Sequence, residues 1–148
     1  MTTTKGRLEL KRFDPRQPGL AKVFGPLEAE SMQGVWRRRQ ATVAEVHDEL
    51  QHCGDRQRDI AYTTVMTTMS RLAEKNVLRR ERPAGQVSFV YSPALAREDF
   101  VNTVVKSVMD SLVDEFGEPV FSYLLSYVAA SDPAHREVLA QALAAPPH

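Results

Sequence analysis

Between Ala61 and Asn76 the chain reads AYTTVMTTMSRLAEKN, and its polar residues recur at helical spacing. Thr63, Thr64, Thr67, Ser70 and Arg71 share one face of the predicted helix, with Thr68 and Lys75 on its flanks. Four threonines in six positions are costly in a helix, because a β-branched side chain loses rotamer freedom there. A face whose only task was solvation would carry Glu, Lys and Gln. Short hydroxyls with methyl groups suit non-covalent recognition instead: they reach base edges in a major groove, and the methyl can meet a thymine methyl. Arg71, with Arg79, Arg80 and Arg82 just downstream, supplies charge that can neutralise phosphates.

Catalytic chemistry finds no comparable footing. The sequence holds no glycine-rich phosphate loop, no nucleophile elbow and no HExxH spacing. A single cysteine, Cys53, excludes an intramolecular disulfide framework, a Cys-rich zinc site and a Cys-ligated iron–sulfur cluster. It sits beside His52 and six residues after His47, which is weak ground for a metal or redox site. The chain is therefore expected to be neither an enzyme nor a holder of a metal or cofactor.

The elements around the threonine face follow from periodicity. Its opposite side, Ala61, Tyr62, Val65, Met69, Leu72 and Ala73, is expected to pack inward. A first helix is predicted over Leu27 to Trp36. A second runs from Thr42, whose Thr-Val-Ala-Glu45 string is a capping box, to about Gln51, with Val43, Val46 and Leu50 on one face before a break at Cys53-Gly54-Asp55. After Asn76 the period turns strand-like. Residues 77–82 and 87–91 flank a turn at Pro83-Ala84-Gly85-Gln86, giving a β-hairpin that Pro93 ends. Three helices followed by an arginine-bearing hairpin is the order of a winged helix-turn-helix with the hairpin as wing.

The remainder is helical and acidic. Phe100, Val104, Val108, Leu112 and Phe116 form one apolar row, and Val101, Val105, Met109 and Val113 a second beside it. Gly117 and Pro119 break the segment; a helix over 120–128 follows, with Phe121, Leu124, Leu125 and Val128 apolar, and a short last helix over about 134–144 starts behind Ser131-Asp132-Pro133. So wide a stripe in so short a region is better served by partner helices than by its own core, which predicts a homodimer. Lys plus Arg and Asp plus Glu number 19 each, yet residues 1–93 carry 16 basic against 11 acidic side chains and residues 94–148 carry 3 against 8. A basic part that meets an anion and an acidic part with another task fit that split.

The expected fold class is mainly α with a small β-hairpin: a basic flexible arm at 1–22, a winged helix-turn-helix DNA-binding domain at 23–93 and a helical dimerisation domain at 94–148. The candidate DNA-binding residues are Thr63, Thr64, Thr67, Ser70, Arg71, Arg79, Arg80 and Arg82. The candidate dimerisation residues are Phe100, Val101, Val104, Val105, Val108, Leu112, Phe116, Phe121, Leu124 and Leu125. Apolar runs fall short of the ~18–20 residues of a membrane span, so no membrane insertion is expected. The N-terminus lacks the apolar core of a signal peptide, which makes the cytoplasm the expected compartment. A winged-helix module that binds protein without specific DNA readout is the alternative, disfavoured by the polar helix face and basic hairpin.

Phe24-Gly-Pro-Leu-Glu28, Met32, Val35-Trp36, Thr42-Val-Ala-Glu-Val46, Ala61-Tyr-Thr-Thr-Val-Met-Thr-Thr-Met69, Arg71-Leu72, Lys75-Asn76 and Tyr91-Ser-Pro93 together resemble the penicillinase-repressor (BlaI/MecI) family. The resemblance covers roughly Phe24 to Phe116. It implies a homodimeric bacterial repressor that binds double-stranded DNA at a palindromic operator, with the N-terminal winged helix reading DNA and the C-terminal helices forming the dimer. It places Thr63, Thr64, Thr67 and Arg71 at recognition-helix contacts and Arg79, Arg80 and Arg82 on the wing. It also implies a membrane sensor-protease as inducer, cutting an Asn-Phe bond near the first dimerisation helix; this chain has Asp99-Phe100 and Asn102-Thr103 there, so no cleavage bond is assigned. Ser31 stands where the family usually has an aliphatic residue, and the basic arm and the 52–60 connection are longer than usual. The paired C-terminal cysteines of the copper-responsive branch are absent, which disfavours copper sensing.

Overall fold

The elements of the computed structural model run α1 (Pro26–Arg38), α2 (Val43–Gln51), α3 (Tyr62–Glu74), β1 (Leu78–Glu81), β2 (Val90–Pro93), α4 (Arg97–Phe116), α5 (Glu118–Ala130) and α6 (Pro133–Ala144). The structure describes residues 12–53 and 58–145. The first half of the expected arm and the Gly54-Asp55 break lie outside the described residues. The fold is mostly helical with one small antiparallel sheet, a winged helix-turn-helix followed by a helical region.

Local chemistry sets the helix ends. At α1, Pro26 occupies the first turn, where its missing N–H is no loss, and the Glu28 carboxylate accepts from the Gly25 N–H at 3.2 Å. At α2 the capping box forms as expected: Glu45 N–H donates to Thr42 Oγ1 at 3.3 Å and Thr42 N–H to Glu45 Oε2 at 2.8 Å. At the end of α3, Asn76 takes a left-handed φ of 59°. Val77 N–H then reaches Leu72 O and Asn76 N–H reaches Ala73 O, both at 3.0 Å, a Schellman closure that turns the chain directly into β1.

The hairpin is narrower than its sequence period suggests. Leu78 pairs with Pro93 and Glu81 with Val90, so the second strand starts three residues later than expected. Pro83 cannot donate to a ladder, and the Gln86 N–H bonds its carbonyl at 3.0 Å instead, with Gly85 at φ 80° closing the turn. Val87 is left 90% exposed, without a strand partner. On its other side β2 meets Ala41, which exchanges backbone bonds of 2.9 and 2.8 Å with Tyr91 and so ties the start of α2 to the sheet.

Two compact units divide the chain at Asn102 and Thr103. The core of the first is built by Met32 and Val35 of α1, Val46 and Leu50 of α2, Val65, Met69 and Leu72 of α3, and Val77, Leu78 and Tyr91 of the hairpin. Ser31 is buried among them and donates to Leu27 O at 2.7 Å, so a polar residue at that position leaves no unsatisfied group. Phe100, read from the sequence as a dimerisation residue, is a correction: it is 1% exposed and stacks on Phe24 at 5.2 Å and beside Trp36 at 5.5 Å. Its ring completes this core, so it is not available to a partner. Within the expected arm, residues 12–22 carry local structure. Gly19–Lys22 is a 3-10 turn with Leu20 buried, the Asp14 N–H bonds Lys22 O at 2.7 Å, and Lys22 Nζ reaches Pro15 O at 3.0 Å. Hydrogen bonds from the side chain and backbone of Arg16 hold the Asp14 carboxyl below the usual carboxylate range.

In the second unit, α5 carries no buried residue, and Val105, Leu112, Phe116, Phe121, Tyr123, Leu124, Leu125, Tyr127 and Val138 are all exposed. Val104 and Val108 are half-buried, as is Val101 just before the unit begins.

Candidate nucleic-acid interface

The buried side of α3 (Val65, Met69, Leu72) fixes which residues it can present. Thr63, Thr64, Thr67 and Arg71 are exposed and Ser70 is half-buried. Thr68, placed on a flank from sequence, is 8% exposed and donates to Thr64 O at 2.8 Å. It lies about one helical turn before Leu72, on nearly the same side of α3, and belongs to the packed side. Thr67 makes the equivalent bond to Thr63 O at 2.9 Å but from the exposed side. No side chain caps the start of α3 at Ala61.

The inward reading of Ala61 and Tyr62 is corrected: both are exposed, Tyr62 by 45%. Tyr62 opens the helix and stands beyond the core, edge-on to the His47 ring at 5.5 Å. His47 Nε2 in turn lies 2.6 Å from Ile60 O, which secures the loop entering α3. Met66, one turn on, is also exposed. Tyr62, Met66 and Ser70 thus form an i, i+4 row along the wing side of the threonine face, a spacing visible in the sequence but masked there by the apolar character of its first two members.

Across from that row stands the hairpin. Tyr62, Met66 and Ser70 form one wall of a cleft of about 210 Å3, and Arg80, Ser88 and Phe89 contribute to the other. Arg80 and Arg82 both lie over the Phe89 ring, at 5.0 and 4.5 Å from its centroid. Arg79 alternates to the other face of β1, opposite Ser92.

Two groups of cations in the first unit bear on this surface. Arg37 and Arg38 hold Glu49 between α1 and α2, Arg58 pairs with Glu30, and Lys75 pairs with Glu28 at 2.8 Å. These join elements. Arg71, Arg79, Arg80 and Arg82 are exposed and make no ion pair among the described residues. Arg39 and Arg97 are likewise exposed without an ion pair among the described residues, but Arg71, Arg79, Arg80 and Arg82 are the ones that lie on α3 and the wing, on either side of a row of hydroxyls. Among the described residues no group of three or more His, Cys, Asp or Glu could hold a metal ion, and no helix is long and apolar enough to cross a membrane.

Residues 24–145 match the family model described as penicillinase repressor. The chain belongs to that family. Over 79 residues this family member is 38% identical to the transcriptional regulator BlaI of Mycobacterium tuberculosis, in both the CDC 1551 / Oshkosh and the ATCC 25618 / H37Rv strains. The match covers 53% of this chain and 53% of the regulator, so the chain spans about half the length of the curated relatives it matches. Among solved structures, a double mutant of Lactococcus lactis ZitR aligns at a TM-score of 0.36 and 16% identity, covering 79% of this chain and 68% of that one. A single mutant of the same protein aligns at 0.39 and 14%, covering 82% of each chain.

Proposed function

We propose that this penicillinase-repressor family member is a sequence-specific DNA-binding transcriptional repressor of the cytoplasm, and not an enzyme. The observation that carries the reading is the exposed Thr63–Thr67 face of α3 flanked by Arg71, Arg80 and Arg82, none of which is neutralised by a carboxylate among the described residues. Membership of a family of repressors and the likeness to the regulator BlaI support it. In this reading Thr63, Thr64, Thr67 and Ser70 meet base edges, while Arg71, Arg79, Arg80 and Arg82 meet phosphates. Residues 23–93 form the DNA-binding domain, residues 1–22 a basic arm that precedes it in the sequence, and residues 94–148 the dimerisation domain.

The exposed apolar side chains of α4 and α5, Val105, Leu112, Phe116, Phe121, Leu124 and Leu125, are the surface on which a second copy would pack, supported at its edge by Val101, Val104 and Val108. A two-fold dimer calls for a palindromic operator with half-sites about one helical turn, ~34–36 Å, apart. Blocking polymerase there gives repression. A membrane sensor-protease is the inducer this family reading supplies.

A gel shift on the DNA upstream of its gene, repeated across a salt series, tests the proposal. Log affinity should fall linearly with log salt, and an upstream duplex should outcompete a scrambled one by ~10³-fold or more. Equal affinity for both would overturn specific repression.

A further inference from the structure

The wing sets two cations on one ring. Arg80, in β1, and Arg82, just past its end, both have their guanidinium carbons within cation–π reach of Phe89, at 5.0 and 4.5 Å. No carboxylate among the described residues bridges them. Two like charges gathered around one ring repel each other, and an anion that contacts both relieves that repulsion. The opening is directional as well. Arg80 and Phe89 line the cleft whose far wall is Tyr62, Met66 and Ser70 of α3. An anion seated there lies next to the proposed reading face.

We infer that Phe89 is a positioning residue of the DNA interface, its ring holding Arg80 and Arg82 side by side as a two-cation seat for one backbone phosphodiester. The inference rests on the DNA-binding reading above. An arginine free in solvent must give up its rotamers when it meets a phosphate; one already laid on a ring gives up fewer, so more of the contact appears as affinity. Arg79, on the opposite face of the strand and off the ring, has no share in the seat.

Fluorescence anisotropy with the full chain and a labelled duplex of mixed sequence reads this directly, because binding to such a duplex is carried by phosphate contacts. Phe89→Leu and Phe89→Met, which keep an apolar filler without a π face, should weaken binding about three- to tenfold. They should also reduce the slope of log affinity against log salt by about 1. Phe89→Tyr should retain both affinity and slope. In an Arg80→Ala/Arg82→Ala background, Phe89→Leu should have no further effect. An equal loss in that background, a Tyr variant that behaves like Leu, an unchanged salt slope, or loss of the fold by far-UV circular dichroism would each overturn the assignment. Wild-type protein that fails to bind any duplex at low salt overturns the DNA-binding reading itself; wild-type binding matched by Phe89→Leu overturns only the seat.

Discussion

The indole N–H of Trp36 donates to the carbonyl of Leu95 at 2.9 Å, joining residues 59 positions apart. The same ring stands 5.5 Å from Phe100, which stacks on Phe24. One aromatic group therefore fastens α1 both to the segment after the hairpin and to the first turns of α4. Truncating the middle ring, Phe100→Ala, should cost about 3–5 kcal/mol in urea denaturation, the usual range for a buried phenylalanine. Trp36→Phe keeps most of the apolar surface and loses the bond, which should cost about 1 kcal/mol. Equal costs would mean that the indole N–H contributes as much as the packing of the Phe100 ring.

The Thr42–Glu45 box predicts an effect on stability without one on recognition. Thr42→Ala removes the acceptor of the Glu45 N–H and should destabilise the fold by about 0.5–2 kcal/mol. Preference for the upstream duplex over a scrambled one should stay as in the wild type, since Thr42 lies at the start of α2 and off the α3 face. A changed preference would show that α2 takes part in reading sequence.

Where sequence and structure agree, the signal was strong and local. The capping box starts α2, the 3.6-residue period locates α3, and Gly85 behind Pro83 makes the turn. What escaped the sequence depended on tertiary context. Tyr62 is apolar enough to count as core, but it begins α3 past the point where α2 and the hairpin can cover it. Phe100 sits in register with the apolar row of α4, yet Phe24 and Trp36, more than sixty residues away in the chain, claim its ring. Val87 continues the alternation of a strand that has no partner beyond Glu81. Phe89 gave no signal by type or spacing, because its partners are defined only once the hairpin closes.

Strand alternation separates two neighbouring arginines. Arg80 lies over Phe89, whereas Arg79 faces the other way beside Glu81. Arg80→Ala should weaken binding to specific and mixed-sequence duplexes by a similar factor and reduce the salt slope by about 1. Arg79→Ala should have the smaller effect on both. The reverse ranking in a salt titration would place the opposite face of the hairpin against DNA.

The exposed rings of the C-terminal helices yield a test of assembly that spares the monomer. Phe121 and Leu125 are already exposed in a single chain, so Phe121→Glu or Leu125→Glu should leave the helical circular dichroism spectrum intact. If these residues lie at the centre of a homodimer, either change should cost about 2 kcal/mol or more of association. Sedimentation equilibrium measures it. Operator affinity should fall with dimerisation, because each half-site would then be held by one domain alone. A dimer undisturbed by both variants would move the interface elsewhere.

Thr67 and Thr68 make the same backbone bond, to Thr63 O at 2.9 Å and Thr64 O at 2.8 Å, from opposite environments. That identity lets their consequences be separated. Thr68 is packed, so Thr68→Ala should lower stability by about 1 kcal/mol and leave sequence preference alone. Thr67 is exposed with its hydroxyl proton already donated, so it turns an accepting oxygen and a methyl group outward. Such a pair can accept from an adenine or cytosine amine, or lie against a thymine methyl. Thr67→Ala should forfeit about 1–3 kcal/mol of discrimination between the upstream and scrambled duplexes. Thr67→Ser keeps the acceptor and Thr67→Val keeps the methyl, so the one that preserves discrimination identifies which contact carries it. Discrimination intact in all three variants would remove Thr67 from the reading face.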